Sequence, residues 1–292
     1  MGEPPSATDQ MEQIGLKKEP LVKVDHRELN FAMDLFSNHD EAPGFPFYKE
    51  NFLIIREELL KFWREEHQAL GYQEIETPIL IRNDLWVASG HWENYQDNMY
   101  WLEFDESINV IKPMNCPGCV LVYKEKQHSY RELPLKIAEL GRVCRKELSG
   151  NVQGLFRTRA FMIDDAHIFM RPDQIAEMVN EVIDLLSKFY QILGFSYQIA
   201  LSTRPEKSIG SKETWEKATA NLKQVLDNRA LPYIIKEGEG AFYGPKIDFD
   251  VEDSLGRKWQ CGTIQLDLNL PERFDLSYQN EQAQKNRVIM LH

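Results

Sequence analysis

The chain reads as an α+β protein, an antiparallel sheet flanked by helices. Two observations predict this. The last third holds three strand-like runs, PYIIKEGEG, PKIDFDVED and KWQCGTIQLDLNL, joined by Gly and Asp turns with no helix between them. Upstream, two long stretches carry apolar residues at helical spacing, one ended by Gly71 and one by Gly194.

Taken in order, residues 1–24 open with GEPPSATDQ and carry no core pattern, so they read as a tail. VDHRELNFAMDLFS predicts a short helix starting near Asp25, broken by the prolines and glycine of EAPGFPFY. From Lys49 to Leu70, Phe52, Ile55, Leu59, Phe62, Trp63 and Leu70 mark one face of a long helix. YQEIETPIL alternates and is β-branched, a strand interrupted at Pro78. Proline there suits a sheet edge, where two chains can meet. SINVIKPM and LKIAELGRVCRKEL bracket a segment with a Cys-x-x-Cys pair, and FRTRAFMIDDAHIFM reads as a strand. RPDQIAEMVNEVIDLLSKFYQILG is the clearest helix, with Pro172 near its start and Asp173 and Glu177 in its first turns. A further helix covers about Lys212 to Asn228. No internal repeat interrupts this order.

Composition narrows the class. With 42% hydrophobic residues, six Trp and a net charge of −12, the chain can bury a core and lacks the basic excess usual in nucleic-acid binders. Local basic sites stay open, because repulsion is screened beyond roughly 10 Å at 0.1 M salt. No run approaches the roughly 20 apolar residues of a membrane span, and no secretory signal opens the chain. Four Cys in 292 residues form no disulfide framework, so a cytoplasmic location with reduced thiols is expected.

The chemistry-bearing residues admit more than one reading. Cys116 and Cys119 lack a second Cys or His pair at finger spacing, and their flanks do not suggest a thioredoxin-like helix start. Two inert buried thiols, or a metal site recruiting distant ligands, both remain open. His167 lies on the DDAHIF strand, where Asp165 shares its parity and Asp164 faces the other way. It is either a satisfied core histidine or a functional one. Arg145, Lys146, Arg157 and Arg159 surround a turn that is either a solvated hairpin or a phosphate clamp. No Walker loop or dinucleotide fingerprint appears, so a nucleotide would have to be held by such arginines. His91 in SGHWENY is a packing residue or a proton shuttle.

Together, DHRELN, EAPGFPF, TPIL, SGHWENY, KPMNCPGC, SYRELPLKIAELG, RKELSG, DDAHIF, LSTRPEKSIGS, GEGAFYGPKIDF and WQCGTIQLD resemble the threonyl-tRNA synthetases, a family of class II aminoacyl-tRNA synthetases. The segments run colinearly from about residue 24 to the last. The resemblance implies the class II catalytic fold over residues 25–292, incomplete at the C-terminus where RVIMLH starts motif 3. It also implies that the anticodon-binding and editing domains are absent. A zinc ion is expected on Cys116, His167 and His292, with an open position for threonine and Asp165 accepting from the threonine hydroxyl. Such a site rejects valine, which leaves the hydroxyl's position unfilled, whereas a hydrophobic pocket would separate the two only weakly. Serine would pass. Cys119 is left to packing.

The family's motif 2 places the α-phosphate of ATP on Arg145, the adenine amino group on Glu147, the distal phosphates on Arg157 and the base on Phe161. Lys246, Tyr243 and Gln260 complete the ATP and threonine sites. Mg²⁺ accompanies ATP, and His91 matches a histidine used in transfer to tRNA(Thr). The helix and strand around YQEIETPIL resemble motif 1, which builds a homodimer. Two departures stand in motif 2: Ala160 where the family often has Gly, and Ile163 where it usually has Gln. Threonine–tRNA ligase activity is therefore expected of the family, and little or none of this chain alone. The alternative is a non-catalytic binding or regulatory protein derived from a synthetase core.

Overall fold

The structure is a computed structural model that describes residues 23–292, so nearly all of the expected tail lies outside it. Asp25 caps the first helix through its carboxylate, which accepts from Arg27 N. The chain then runs through α1 (His26–Met33), β1 (Phe36–Ser37), β2 (Phe47–Tyr48) and the 20-residue α2 (Glu50–Ala69). There follow β3 (Gln73–Glu74), β4 (Leu80–Arg82), α3 (Asn83–Ala88), α4 (His91–Tyr95), β5 (Tyr100–Phe104), β6 (Ser107–Ile111) and α5 (Cys116–Lys124). Next come β7 (His128–Ser129), β8 (Leu135–Cys144), β9 (Ala160–Met170), α6 (Ile175–Ile192) and β10 (Tyr197–Ser202). The remainder is α7 (Lys212–Asn228), β11 (Tyr233–Lys236), β12 (Lys246–Glu252), β13 (Lys258–Asp267), α8 (Asn269–Arg273), β14 (Ser277–Gln279), β15 (Lys285–Arg287) and β16 (Ile289–Leu291).

Among the described residues, eight strands form the central sheet in the order β11-β10-β12-β13-β16-β9-β8-β3. The five inner pairings from β10 to β8 are antiparallel, as the sequence predicts. Both edges differ: β11 pairs with β10 and β3 with β8 in parallel. The first follows from α7, which lies between β10 and β11 in the chain and carries it back across the sheet. At the other edge, β3 is two residues long and ends before Pro78, consistent with an edge strand.

Alternation along the strands divides the core in two. Ile168, Met170, Ile247, Phe249, Ile264 and Leu266 pack with Trp63 of α2, Met178, Val179 and Ile183 of α6 and Leu222 and Leu226 of α7. Phe169, Met290 and Ile137 point the opposite way and join Cys119, Val120 and Tyr123 of α5. The three long helices thus cover one face, and α5 with the smaller sheets covers part of the other. The helix at α5 was not expected from sequence. Six of its nine residues are buried, so it has no polar face to generate a helical period.

Candidate functional site

His167 is odd-numbered on β9, like Phe169, and His292 follows Met290 by two, so both side chains project onto the α5 face. Cys116 is the first residue of α5. The three meet: one ligand atom from each lies within 4.8 Å of the other two. His292, although last in the chain, is held by the sheet, since its N–H donates to Gln265 O at 2.9 Å and its C=O accepts from Gln265 N at 2.8 Å.

The cluster has the chemistry of a metal centre. Nε2 of His167 is buried and has no hydrogen-bond partner among the described residues, which is costly unless something else satisfies it. Burial pushes the His167 imidazole down to about 4, leaving it neutral with a lone pair to give at neutral pH. Burial, with Asp165 and Asp267 nearby, raises the Cys116 thiol, so a cation is needed to draw off its proton. Cys119 is also buried and raised, first by burial. The pair does open a helix, contrary to the expectation from its flanks, but neither thiol has the exposed, low-pKa character of a redox couple.

A cavity of about 840 Å³ adjoins the cluster, lined by Asp165, Arg145, Tyr243, Lys246 and Gln265 as well as the three candidate ligands. It reaches through the sheet to Leu186 and Phe189 of α6. The opening has a clear cause. β16 pairs only with Ile168–Met170 of β9 and Leu266–Asp267 of β13, and beyond it the facing edges of those strands have no ladder partner among the described residues.

Around this cavity the sequence candidates take distinct places. Asp165 receives a hydrogen bond from Asn115 Nδ2 at 3.0 Å, and its other oxygen is 3.8 Å from His167 Nε2. Arg145 donates to Pro113 O at 3.1 Å, with its guanidinium 5.1 Å from the Phe161 ring. Phe161 has the parity of Asp165 but lies further out along β9. Arg157 is exposed and paired with Glu147 at 2.9 Å in the connection between β8 and β9, outside the cavity lining. Lys246 pairs with the buried Asp248 at 2.9 Å. Tyr243 is buried and donates its hydroxyl to Gln265.

Two candidates differ from expectation. Gln260 is exposed on β13, beyond the register shift opposite Phe249 and Asp250, and does not line the cavity. Gln265 does. His91 has no exposed surface: Phe242 and Trp86 meet its ring edge-on, Nδ1 contacts Ser89 Oγ at 2.8 Å and Nε2 is 3.6 Å from Cys116 Sγ. Burial pushes its imidazole down to about 3. Sequence reading missed Asn115, Gln265 and Asp267. Each lies inside a motif already singled out, but only strand register and helix position bring them to the site. Ile163 also lines the cavity and offers no hydrogen bond there.

A central antiparallel sheet with long helices on one face and a ligand cluster on the other is the class II core arrangement, and comparison with known proteins agrees. Residues 100–292 match the family model described as the tRNA synthetase class II core domain (G, H, P, S and T). The chain is 56% identical over 274 residues to a threonine–tRNA ligase of Carboxydothermus hydrogenoformans, covering 94% of this chain and 43% of that protein. Among solved structures, the RNA binding domain of threonyl-tRNA synthetase from Cryptosporidium parvum superposes with TM-score 0.89 at 39% identity, covering 92% of this chain and 68% of that one. A putative threonyl-tRNA synthetase from Aeropyrum pernix gives TM-score 0.79 at 31% identity, covering 92% and 65%. The chain belongs to the class II tRNA synthetase core family, among the threonyl-tRNA synthetases. It spans less than half the length of the curated relatives it matches.

Proposed function

We propose that this chain supplies the catalytic core of a threonine–tRNA ligase, which activates threonine with ATP and passes it to tRNA(Thr). The observation that carries the reading is the convergence of Cys116, His167 and His292 beside Asp165 in a cavity that also holds Arg145 and Lys246. The thiol and two imidazoles fit zinc, which favours N and S donors and keeps an open position when only three protein ligands bind. When bound, zinc supplies a Lewis-acidic site for the amino and hydroxyl groups of threonine. Asp165, one oxygen engaged by Asn115, keeps the other for the substrate hydroxyl, and Tyr243 and Gln265 border the same space. Gln265 is better placed for threonine than Gln260, which is left to the nucleotide end.

In this reading Arg145 takes the α-phosphate, Arg157 the distal phosphates with Mg²⁺, Glu147 the adenine amino group, and Phe161 the base. Arg157 and Glu147 must part to do so, since they now pair with each other. The threonine carboxylate attacks the α-phosphorus and pyrophosphate leaves, so the residues act by positioning and charge neutralisation. A transfer role for His91 requires the enclosing Phe242 and Tyr243 to swing aside. A cytoplasmic homodimer built through α2 and β3 completes the proposal.

We expect the 292-residue chain alone to be weakly active or inactive, because the facing edges of β9 and β13 leave the floor of the site open. The test is threonine-dependent ATP–pyrophosphate exchange, by this chain and by a version extended to the length of its relatives. Activity only in the extended form, with threonine and not other amino acids, supports the proposal. Robust exchange by the short chain overturns the inactivity, and preference for another amino acid overturns the substrate. No exchange in either form favours the alternative, a synthetase-derived binding protein.

A further inference from the structure

Asp267 ends β13 with both carboxylate oxygens committed and no exposed surface. Oδ1 accepts from the backbone N–H groups of Asn269 at 2.7 Å and Leu270 at 3.0 Å, where the next helix begins. Oδ2 lies 2.9 Å from Nε2 of His292. Gln265 faces His292 in the ladder, so Asp267, two residues on, is its diagonal neighbour on the same face. The oxygen that reaches the imidazole is therefore fixed from two sides, by the strand and by the helix start.

A carboxylate fixed in this way accepts a hydrogen and has none to give, so the imidazole must place its N–H on Nε2. That leaves the lone pair on Nδ1. We propose that Asp267 is a positioning residue which selects the His292 tautomer and ring orientation that present Nδ1 to the metal held with Cys116 and His167. The inference rests on the metal-site reading above and extends it to a residue that does not ligate. Partners of this kind commonly change metal affinity about 10- to 100-fold when removed. At the other histidine, His167, Nε2 has no hydrogen-bond partner among the described residues, the nearest carboxylate oxygen being that of Asp165 at 3.8 Å.

Asp267→Asn is the discriminating variant. Its amide keeps an oxygen for the two backbone N–H groups, and its NH₂ donates to Nε2, which drives the hydrogen to Nδ1 and blocks that atom. Zinc affinity is read by competition with a chromophoric chelator, on the unaltered 292-residue chain, Asp267→Asn and Cys116→Ala. Circular dichroism confirms that each is folded. The expected result is tight binding by the unaltered chain, loss of binding in Cys116→Ala, and affinity about 10- to 100-fold weaker in Asp267→Asn. Equal affinity in Asp267→Asn with loss in Cys116→Ala overturns this proposal and leaves the ligand set standing. No loss in Cys116→Ala overturns the ligand set itself, and this proposal with it.

A second measurement does not depend on the variant folding. Long-range ¹⁵N–¹H correlation on the metal-free unaltered chain reports which nitrogen of His292 is protonated. Nε2–H is expected, and Nδ1–H overturns the assignment.

Discussion

Gly141, in the middle of β8 opposite Ile163, shows how closely the site is packed at the level of single residues. A Cβ there would lie 2.1 Å from the side chain of Asn115, the residue that holds Asp165. Asn115 is fully buried, and its Nδ2, 2.3 Å from that position, is the atom that donates to Asp165, so a shift of the amide disturbs this hydrogen bond. Gly141→Ala is expected to cost on the order of 1–3 kcal/mol, as overpacking does, and, on the function proposed above, to weaken threonine binding more than zinc binding. Urea unfolding and calorimetry with each ligand check this. The histidines make a second prediction, about pH. His91 and His167 are held neutral at values of about 3 and about 4, below the usual 6.5. The folded state thus binds fewer protons than the unfolded state between those limits. Stability of the metal-free chain should be full above pH 6.5 and decline as pH falls toward 4, by up to about 1.4 kcal/mol per unit for each group. Urea midpoints measured from pH 7.5 to 4.5 test the sign, and a flat profile counts against burial as the cause.

At the scale of elements, the segment leading into α5 is pinned by a buried ion pair. Lys112, after β6, reaches Glu139 of β8 at 2.6 Å, and both side chains are almost wholly buried. Thr77 donates to Glu139 from its backbone and its hydroxyl, and receives Lys112 Nζ on that same hydroxyl at 2.8 Å. Glu139 is also directly opposite Asp165 across the ladder, so Lys112 compensates a close pairing of two carboxylates. Lys112→Met should cost about 3–5 kcal/mol by leaving Glu139 buried and unpaired, and Glu139→Leu in the same chain should recover much of it. Denaturant melts of the two single variants and the double variant decide it; additive losses would mean that the pair does not couple. The same scale separates what sequence could reveal from what it could not. The amphipathic helices α2, α6 and α7 announce themselves because one face meets water. The buried helix α5 and the parallel pairing of β10 with β11 do not, since the first has no polar period and the second depends on where a crossover lands. The candidate ligands were legible only through resemblance, as their spacing of about 50 and 175 residues has no local signature. Asp267 and Gln265 needed the register of β13 against the last residues of the chain.

At the scale of the whole molecule, α2 leaves apolar side chains uncovered at the N-terminal end of the row that carries the buried Trp63. Ile54, Ile55 and Leu59 are 57%, 42% and 46% exposed on that helix, and Phe47 just before it is 50% exposed. Ile55 and Leu59 are one turn apart and form a stripe. α2 leads directly into β3, which ends the central sheet with two paired residues and has no second ladder partner among the described residues. Exposed apolar side chains on a helix leading into an edge strand are typical of a surface covered by another chain. The proposed homodimer would bury it, with the same patch meeting itself across a two-fold axis, as closed dimers require. Light scattering coupled to gel filtration should therefore give twice the 34.2 kDa chain mass at micromolar concentration. Ile55→Asp should shift the protein to the monomer, because each copy would bring a charge into the buried centre of the interface. Zinc affinity should be unchanged, since Cys116, His167 and His292 all come from the other face of the same chain. A monomer in the unaltered chain would remove α2 as the interface at this length. A dimer that survives Ile55→Asp would move the contact to a different surface.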